Sequence, residues 1–199
     1  MKTKGAMKNL NNTSYLLAFF TTVWAIFMLV WLILRSPLPL LPAIAVTAFF
    51  VAVSVYIYLS AIAGHKALKA IPDDENTEED SKKSKKWTAV FIVQASAISL
   101  SSALLGSFGL FEYIVIAVLF IVGLHYIPIS MFYRTKIQIY VAVPTILLAV
   151  LGLASLLTGT LAEYASGICS FAGALGCAVL GFWAIAQVKA FTSRPDSQK

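Results

Sequence analysis

The sequence predicts an all-α fold, a polytopic membrane bundle of six transmembrane helices with the N-terminus and C-terminus cytoplasmic. Three observations carry the prediction. The 199-residue chain is 59% hydrophobic and only 12% charged, where a soluble domain carries about 25% charged residues. Six apolar stretches free of Asp, Glu, Lys and Arg each approach or exceed the roughly 20 residues that a helix needs to cross about 30 Å of hydrocarbon. The basic residues, fourteen of the fifteen, fall on one side of those stretches when alternate connections are assigned to opposite faces.

The first stretch, 15–34, follows Lys2, Lys4 and Lys8. A basic start before an apolar run is also the order of a signal peptide, but this run exceeds the usual core of about 7–15 residues, and Arg35-Ser36-Pro37 stands where small residues would mark cleavage. It is expected to be a retained helix. The remaining spans are 40–63, 87–107, 113–131, 137–157 and 164–188. With six spans and short connections the 199 residues make a single membrane domain, without room for a separate soluble one.

Positive flanks stay cytoplasmic. Lys2, Lys4 and Lys8 precede the first span; Lys66, Lys69, Lys82, Lys83, Lys85 and Lys86 lie between the second and third; Arg134 and Lys136 lie between the fourth and fifth; Lys189, Arg194 and Lys199 follow the sixth. Arg35 alone faces the other way. A missed span would destroy this asymmetry, so the charges support the number of helices as well as their direction. The net charge of +6 thus has a topological cause, and the lipid bilayer is the expected partner, with no nucleic acid. The Asn-x-Thr/Ser sequons at Asn11 and Asn12 are expected on the cytoplasmic side and unmodified. Tyr15, Trp31, Trp87, Tyr113, Tyr133, Tyr164 and Trp183 lie near span borders, where amphipathic rings are favoured; Trp24 falls mid-span.

The cytoplasmic connection 64–86 holds an acidic block, Asp73-Asp74-Glu75 and Glu78-Glu79-Asp80, between lysines. It is expected to be a solvated, flexible, charge-balanced linker. The alternative is a docking or cation-responsive segment, although the central Gly and ordered ligand positions of an EF-hand are missing.

His125 is the ionisable residue set well inside a span, where such residues are costly and often functional. It occurs in Gly123-Leu124-His125-Tyr126-Ile127-Pro128 near the cytoplasmic end of the fourth helix. Pro128 removes a donor and crowds the Leu124 carbonyl, so a local helix break beside His125 is expected, with Gly123 contributing. The third helix adds Gln94, Ser96, Ser99, Ser101, Ser102 and Ser107. At about 100° per residue Gln94 and Ser101 share one face while Ser96, Ser99 and Ser107 cluster nearly opposite, which predicts a helix surrounded by protein. His125, Gly123, Pro128, Gln94 and Ser101 are therefore the candidate ligand or proton site. The alternative for each is hydrogen bonding between helices.

In the sixth helix Cys169, Gly173, Cys177 and Gly181 recur every four residues, a small-residue edge that lets helix backbones approach closely. It is expected to pack another helix of the chain, with Gly152 and Gly159 as a partner surface; a second subunit or another membrane protein is the alternative. Neither cysteine has Cys or His at metal-ligand spacing, so no metal, disulfide framework or cofactor is expected. Glu112 and Glu163 begin the fourth and sixth spans on the outer side, where the helix N-terminal dipole favours carboxylates; the alternative is an external pair that gathers cations. Pro42 and Pro144, each early in a span of opposite direction, hint at an inverted three-plus-three repeat.

The run Gly123 to Pro128, followed by Phe132, Tyr133 and Arg134, resembles a Gly-Leu-His-Phe-Leu-Pro-like motif of an uncharacterised family of small bacterial six-helix integral membrane proteins, where it ends a helix before a short basic turn. The resemblance implies a bacterial inner-membrane protein and points to Gly123, His125 and Pro128, without implying a reaction. The leading functional expectation is a small transporter or permease-like protein with a polar site near His125. A structural or regulatory membrane partner is the alternative. An intramembrane enzyme fits less well, because one His and two border carboxylates supply no nucleophile, metal cluster or paired intramembrane Asp.

Overall fold

The structure, a computed structural model, describes residues 3–35, 40–72, 77–133 and 135–193; at residue 35 and over 77–84 and 132–133 it describes the backbone alone. Six helices follow one another: α1 (Lys4–Arg35), α2 (Leu40–Lys69), α3 (Thr77–Ser107), α4 (Phe111–Tyr133), α5 (Ile137–Thr158) and α6 (Ala162–Thr192). All six contain a stretch long and apolar enough to cross a membrane, and no strand occurs among the described residues. The chain is a multi-pass, all-α membrane protein.

All six helices overrun their expected bounds, α1, α2, α3 and α6 by a turn or more. A 31-residue helix such as α6 is about 46 Å long, roughly 15 Å more than the hydrocarbon core. The surplus turns of α1, α2 and α6 project from one end of the bundle and carry a second small core of Met7, Leu10, Leu68, Ile71, Ala184 and Val188. There the Lys4 ammonium donates to the Ile71 carbonyl. Helix takes up part of the connection 64–86, expected as a solvated, flexible linker: α2 continues to Lys69 and α3 begins at Thr77. Residues 77–86 contain neither Gly nor Pro, so nothing stops the helix at the membrane border. Asp73, Asp74 and Glu75 lie outside the described residues, as do the side chains of Glu78, Glu79 and Asp80.

The sixth helix is the axis. Of its most apolar stretch 61% is buried, against none of the corresponding stretch of α3. It packs most extensively on α1, then on α5, α2 and α4, and its small residues are what allow this. A Cβ at Gly173 would lie 2.4 Å from the Trp24 ring of α1, one at Gly181 2.7 Å from Ile57 of α2, and one at Gly152 of α5 2.7 Å from Cys169 Sγ. The ladder is thus enclosed within the chain. Gly152 joins it as expected; Gly159 instead terminates α5 at φ 74°, where an added Cβ would meet nothing within 4 Å.

Buried polar side chains stitch α1 to α2. Ser54 Oγ donates to the Ala18 carbonyl at 2.6 Å and accepts from Thr22 Oγ1 at 2.8 Å, and Asn11 Nδ2 donates to the Ala61 carbonyl at 3.0 Å. The helices group as α1–α2–α6 and α3–α4–α5 rather than as consecutive triplets.

The third helix departs most from expectation. It is not surrounded by protein but peripheral, packed along α4 and touching α1 only lightly. Ser96, Ser99 and Ser107 are exposed, whereas Gln94, Ser101 and Ser102 are half-buried. Polarity on two faces of this helix marks one face toward the bundle and one away from it.

Candidate binding cleft

The loose seating of α3 leaves a cleft of about 500 Å³ between α1, α3 and α4, floored by α6. That volume falls in the usual range of about 300–1,000 Å³ for small-molecule sites. Three helical stripes build its walls. The first helix contributes Leu17, Phe20, Trp24, Phe27 and Trp31; the third Trp87, Phe91, Gln94, Ile98 and Ser102; the fourth Val115, Val118, Val122, His125 and Ile129. Within each stripe the residues recur at three- or four-residue steps, the spacing that keeps side chains on one helix face. Cys177 and Leu180 of α6 form part of the floor. All four tryptophans of the chain, the fourth being Trp183, line this one space.

The walls are mainly apolar, and their polar groups, Gln94 and Ser102 apart, gather toward the lysine-bearing end. Trp87 lies in the membrane-entry turn of α3, His125 in the late turns of α4 and Gln138 in the first turn of α5. Gln138 is buried and accepts from Thr135 Oγ1. Tyr126 OH lies 3.7 Å from Cys177 Sγ, either atom being able to donate. Among the described residues, Trp87 Nε1 and His125 Nδ1 are the buried side-chain nitrogen or oxygen atoms without a hydrogen-bond partner. An indole N–H can only donate, while a histidine ring nitrogen donates or accepts according to its tautomer. Leaving such a group buried and unpaired costs about 1–3 kcal/mol, and nearly all native buried polar groups avoid it. Both atoms belong to residues that line the cleft.

Of the five residues expected to form the site, the structure brings His125 and Gln94 to the cleft and leaves Gly123, Pro128 and Ser101 out of its lining. Gly123 is a packing residue: a Cβ there would lie 2.7 Å from Ile146 Cγ1 and 3.3 Å from the Ile146 backbone nitrogen, so it sets how closely α4 approaches α5. The expected break at Pro128 does not occur, since α4 runs unbroken from Phe111 to Tyr133 with Pro128 inside it. Membrane helices tolerate proline where neighbouring groups take up the backbone; one turn on, Ser130 Oγ donates to the Ile127 carbonyl at 2.7 Å. Ser101 Oγ turns back to the Ile98 carbonyl at 3.1 Å. Ser102, one residue on, is the serine that reaches the cleft.

At the opposite end, Ser166 Oγ of α6 donates to the Glu112 carbonyl at 3.2 Å. The first turns of α4 and α6, which carry Glu112 and Glu163, therefore lie side by side. Neither carboxylate lines the cleft. Among the described residues no three His, Cys, Asp or Glu side chains are grouped to hold a metal ion. Sequence reasoning missed Trp87, Trp24 and the aromatic wall of α1. The signal was present in the steps from Leu17 through Trp31, but an apolar stripe in an apolar helix has no contrast to reveal it. No family model, curated protein or solved structure matches the chain.

Proposed function

We propose that this protein is a small permease-like membrane protein that takes a bilayer-dissolved molecule into the cleft between α1, α3 and α4, where the molecule bonds to His125 and Trp87. The observation that carries the reading is an apolar cleft of about 500 Å³ whose lining includes His125 and Trp87, the two residues with an unpartnered buried nitrogen. The mainly apolar walls argue against a strongly hydrated solute, whose lost hydration they would not replace. The peripheral seating of α3 offers a lateral way in from the bilayer. The positive residues orient both termini to the cytoplasm, and the Gly-Leu-His-Tyr-Ile-Pro resemblance is the basis for assigning a bacterial inner membrane.

The test is flux in proteoliposomes for a panel of lipophilic solutes bearing one polar group. Protein-dependent, saturable flux of at least one class, lost in a Val118→Trp variant that fills the cleft, supports the reading. Flux absent for every class, or indifferent to the plug, overturns it.

A second reading, a structural or regulatory membrane partner, is favoured by the outward face of α3, where Ala95, Ser96, Ser99, Ala103 and Ser107 are exposed. Small and hydroxyl side chains are what helix–helix contacts in membranes use. Purification as a single species, unaltered by Ser99→Leu, would set this reading aside; a stable hetero-complex disrupted by that change would favour it.

A further inference from the structure

We infer that the occupant of the cleft is a single-chain anionic amphiphile, a long-chain carboxylate or alkyl phosphate, held with its headgroup toward the lysine-bearing end. The inference rests on the reading of the cleft as a binding site and adds the chemistry and direction of the ligand.

The cleft is elongated and chemically graded. Along α3 its lining runs from Trp87 to Ser102, fifteen residues of helix and so about 22 Å. That is most of the thickness of a hydrocarbon core of about 30 Å. Toward the far end the walls are Phe27, Trp31 and Phe111, with Ser102 the one hydroxyl beside them, which suit an alkyl chain. His125 and Trp87, the two residues with an unpartnered buried nitrogen, line the other end, so the ligand's hydrogen-bonding group belongs there. A volume of about 500 Å³ is that of a site for one small molecule rather than for a two-chain phospholipid with its headgroup.

Charge selects the sign of that headgroup. Exposed lysines follow or precede the cleft lining on four helices: Lys8 on α1, Lys85 and Lys86 directly before Trp87, Lys136 directly before α5, and Lys189 on α6 beyond Trp183. The described carboxylate side chains, Glu112 and Glu163, are at the opposite end, in the first turns of α4 and α6. In the sequence, four lysines separate the acidic block ending at Asp80 from Trp87. An ionised acceptor meets the indole N–H and a His125 N–H with bonds roughly twice as strong as a neutral one makes, and the lysines draw it to that end.

The test uses the full-length protein in nanodiscs of zwitterionic lipid and reads the tryptophans, all of which line the cleft. The probes are an alkyl phosphate, the alcohol and the trimethylammonium of the same chain length, each brominated either near the head or at the chain end, with the unbrominated phosphate as competitor. The expected result is saturable, competable quenching by the phosphate, about tenfold tighter than by the alcohol and tighter still than by the cation. The Trp87→Phe change should remove mainly the quenching by head-end bromine, and Trp31→Phe mainly that by chain-end bromine, with helicity and elution volume unchanged. Equal affinity for phosphate, alcohol and cation would overturn the anionic assignment while leaving the cleft as a site. A reversed bromine pattern would overturn the orientation. Quenching that neither saturates nor competes, in a protein that passes the flux test above, would overturn the amphiphile alone; failure of both tests removes the cleft as a site.

Discussion

Trp24 of α1 lies flat against Gly173 of α6, where a single added carbon would stand 2.4 Å from its ring. The indole is 4% exposed and at the same time part of the cleft wall. One contact therefore sets both the close approach of α1 to the axial helix and the shape of the space beside it. Gly173→Ala is expected to destabilise the protein by about 1–3 kcal/mol, the cost of overpacking a filled interior. Trp24→Leu in the same chain should recover part of that loss, because it vacates the space the new carbon needs. Reversible unfolding in mixed micelles measures both.

His125→Phe and Trp87→Phe separate a binding role from a structural one. Each removes an unpartnered buried nitrogen while keeping a planar ring, and Trp87 stacks on Phe91 at 5.5 Å between centroids. Both variants are expected to fold as stably as the parent or up to about 1–3 kcal/mol more so, and to bind the anionic amphiphile at least about tenfold more weakly. A hydrogen bond essential to packing would instead show as lost stability in the same unfolding experiment.

Ser54→Ala is the contrasting case, because Ser54 Oγ both donates to Ala18 and accepts from Thr22 across the α1–α2 contact. Hydrogen bonds between membrane helices average about 0.6 kcal/mol, with a maximum near 1.7. The expected loss is in that range, with ligand binding unchanged, since Ser54 does not line the cleft.

Pro128→Ala tests the continuity of α4. Because the helix passes through Pro128 without a break, the change should leave binding within about twofold of the parent and shift stability by less than about 1 kcal/mol. Gly123→Ala, five residues away on the same helix, should cost about 1–3 kcal/mol by pushing α4 off Ile146. The two residues of one sequence motif are thus expected to behave differently.

Orientation is measured by thiol labelling. Lys69→Cys and Phe108→Cys place reactive groups at opposite ends of the bundle, the native Cys169 and Cys177 being buried. In intact cells a membrane-impermeant maleimide should label position 108 and reach position 69 only after permeabilisation.

Much of the fold was legible because the bilayer leaves the chain few choices: backbone groups must be bonded within helices, and length and charge then determine their number. The helix ends were not legible from hydropathy, because α1, α2 and α6 continue past the membrane on a separate core of Met7, Leu68 and Val188 too small to register as a span. The site was half legible. His125 and Gln94 stood out because a polar residue in an apolar span has contrast, whereas Trp24 and Trp87 did not. Gly123 and Pro128 misled because the same residues that can break a helix also serve close packing within one, and only tertiary contacts distinguish the two uses. The place of α3 was misread for a related reason: serines on two faces fit a buried helix and a peripheral one equally well.

The claim on which the account depends is that a molecule occupies the space between α1, α3 and α4. Photo-crosslinking with a diazirine-bearing alkyl phosphate in nanodiscs, followed by peptide mapping, addresses it directly. Labels on Trp24, Phe91 and Val118, which line the cleft, are expected to disappear when unlabelled phosphate is added in excess, while labels on outward residues such as Tyr56 and Leu147 persist as bulk-lipid contact. Labelling confined to the outward residues, or cleft labels that excess phosphate leaves unchanged, would contradict it.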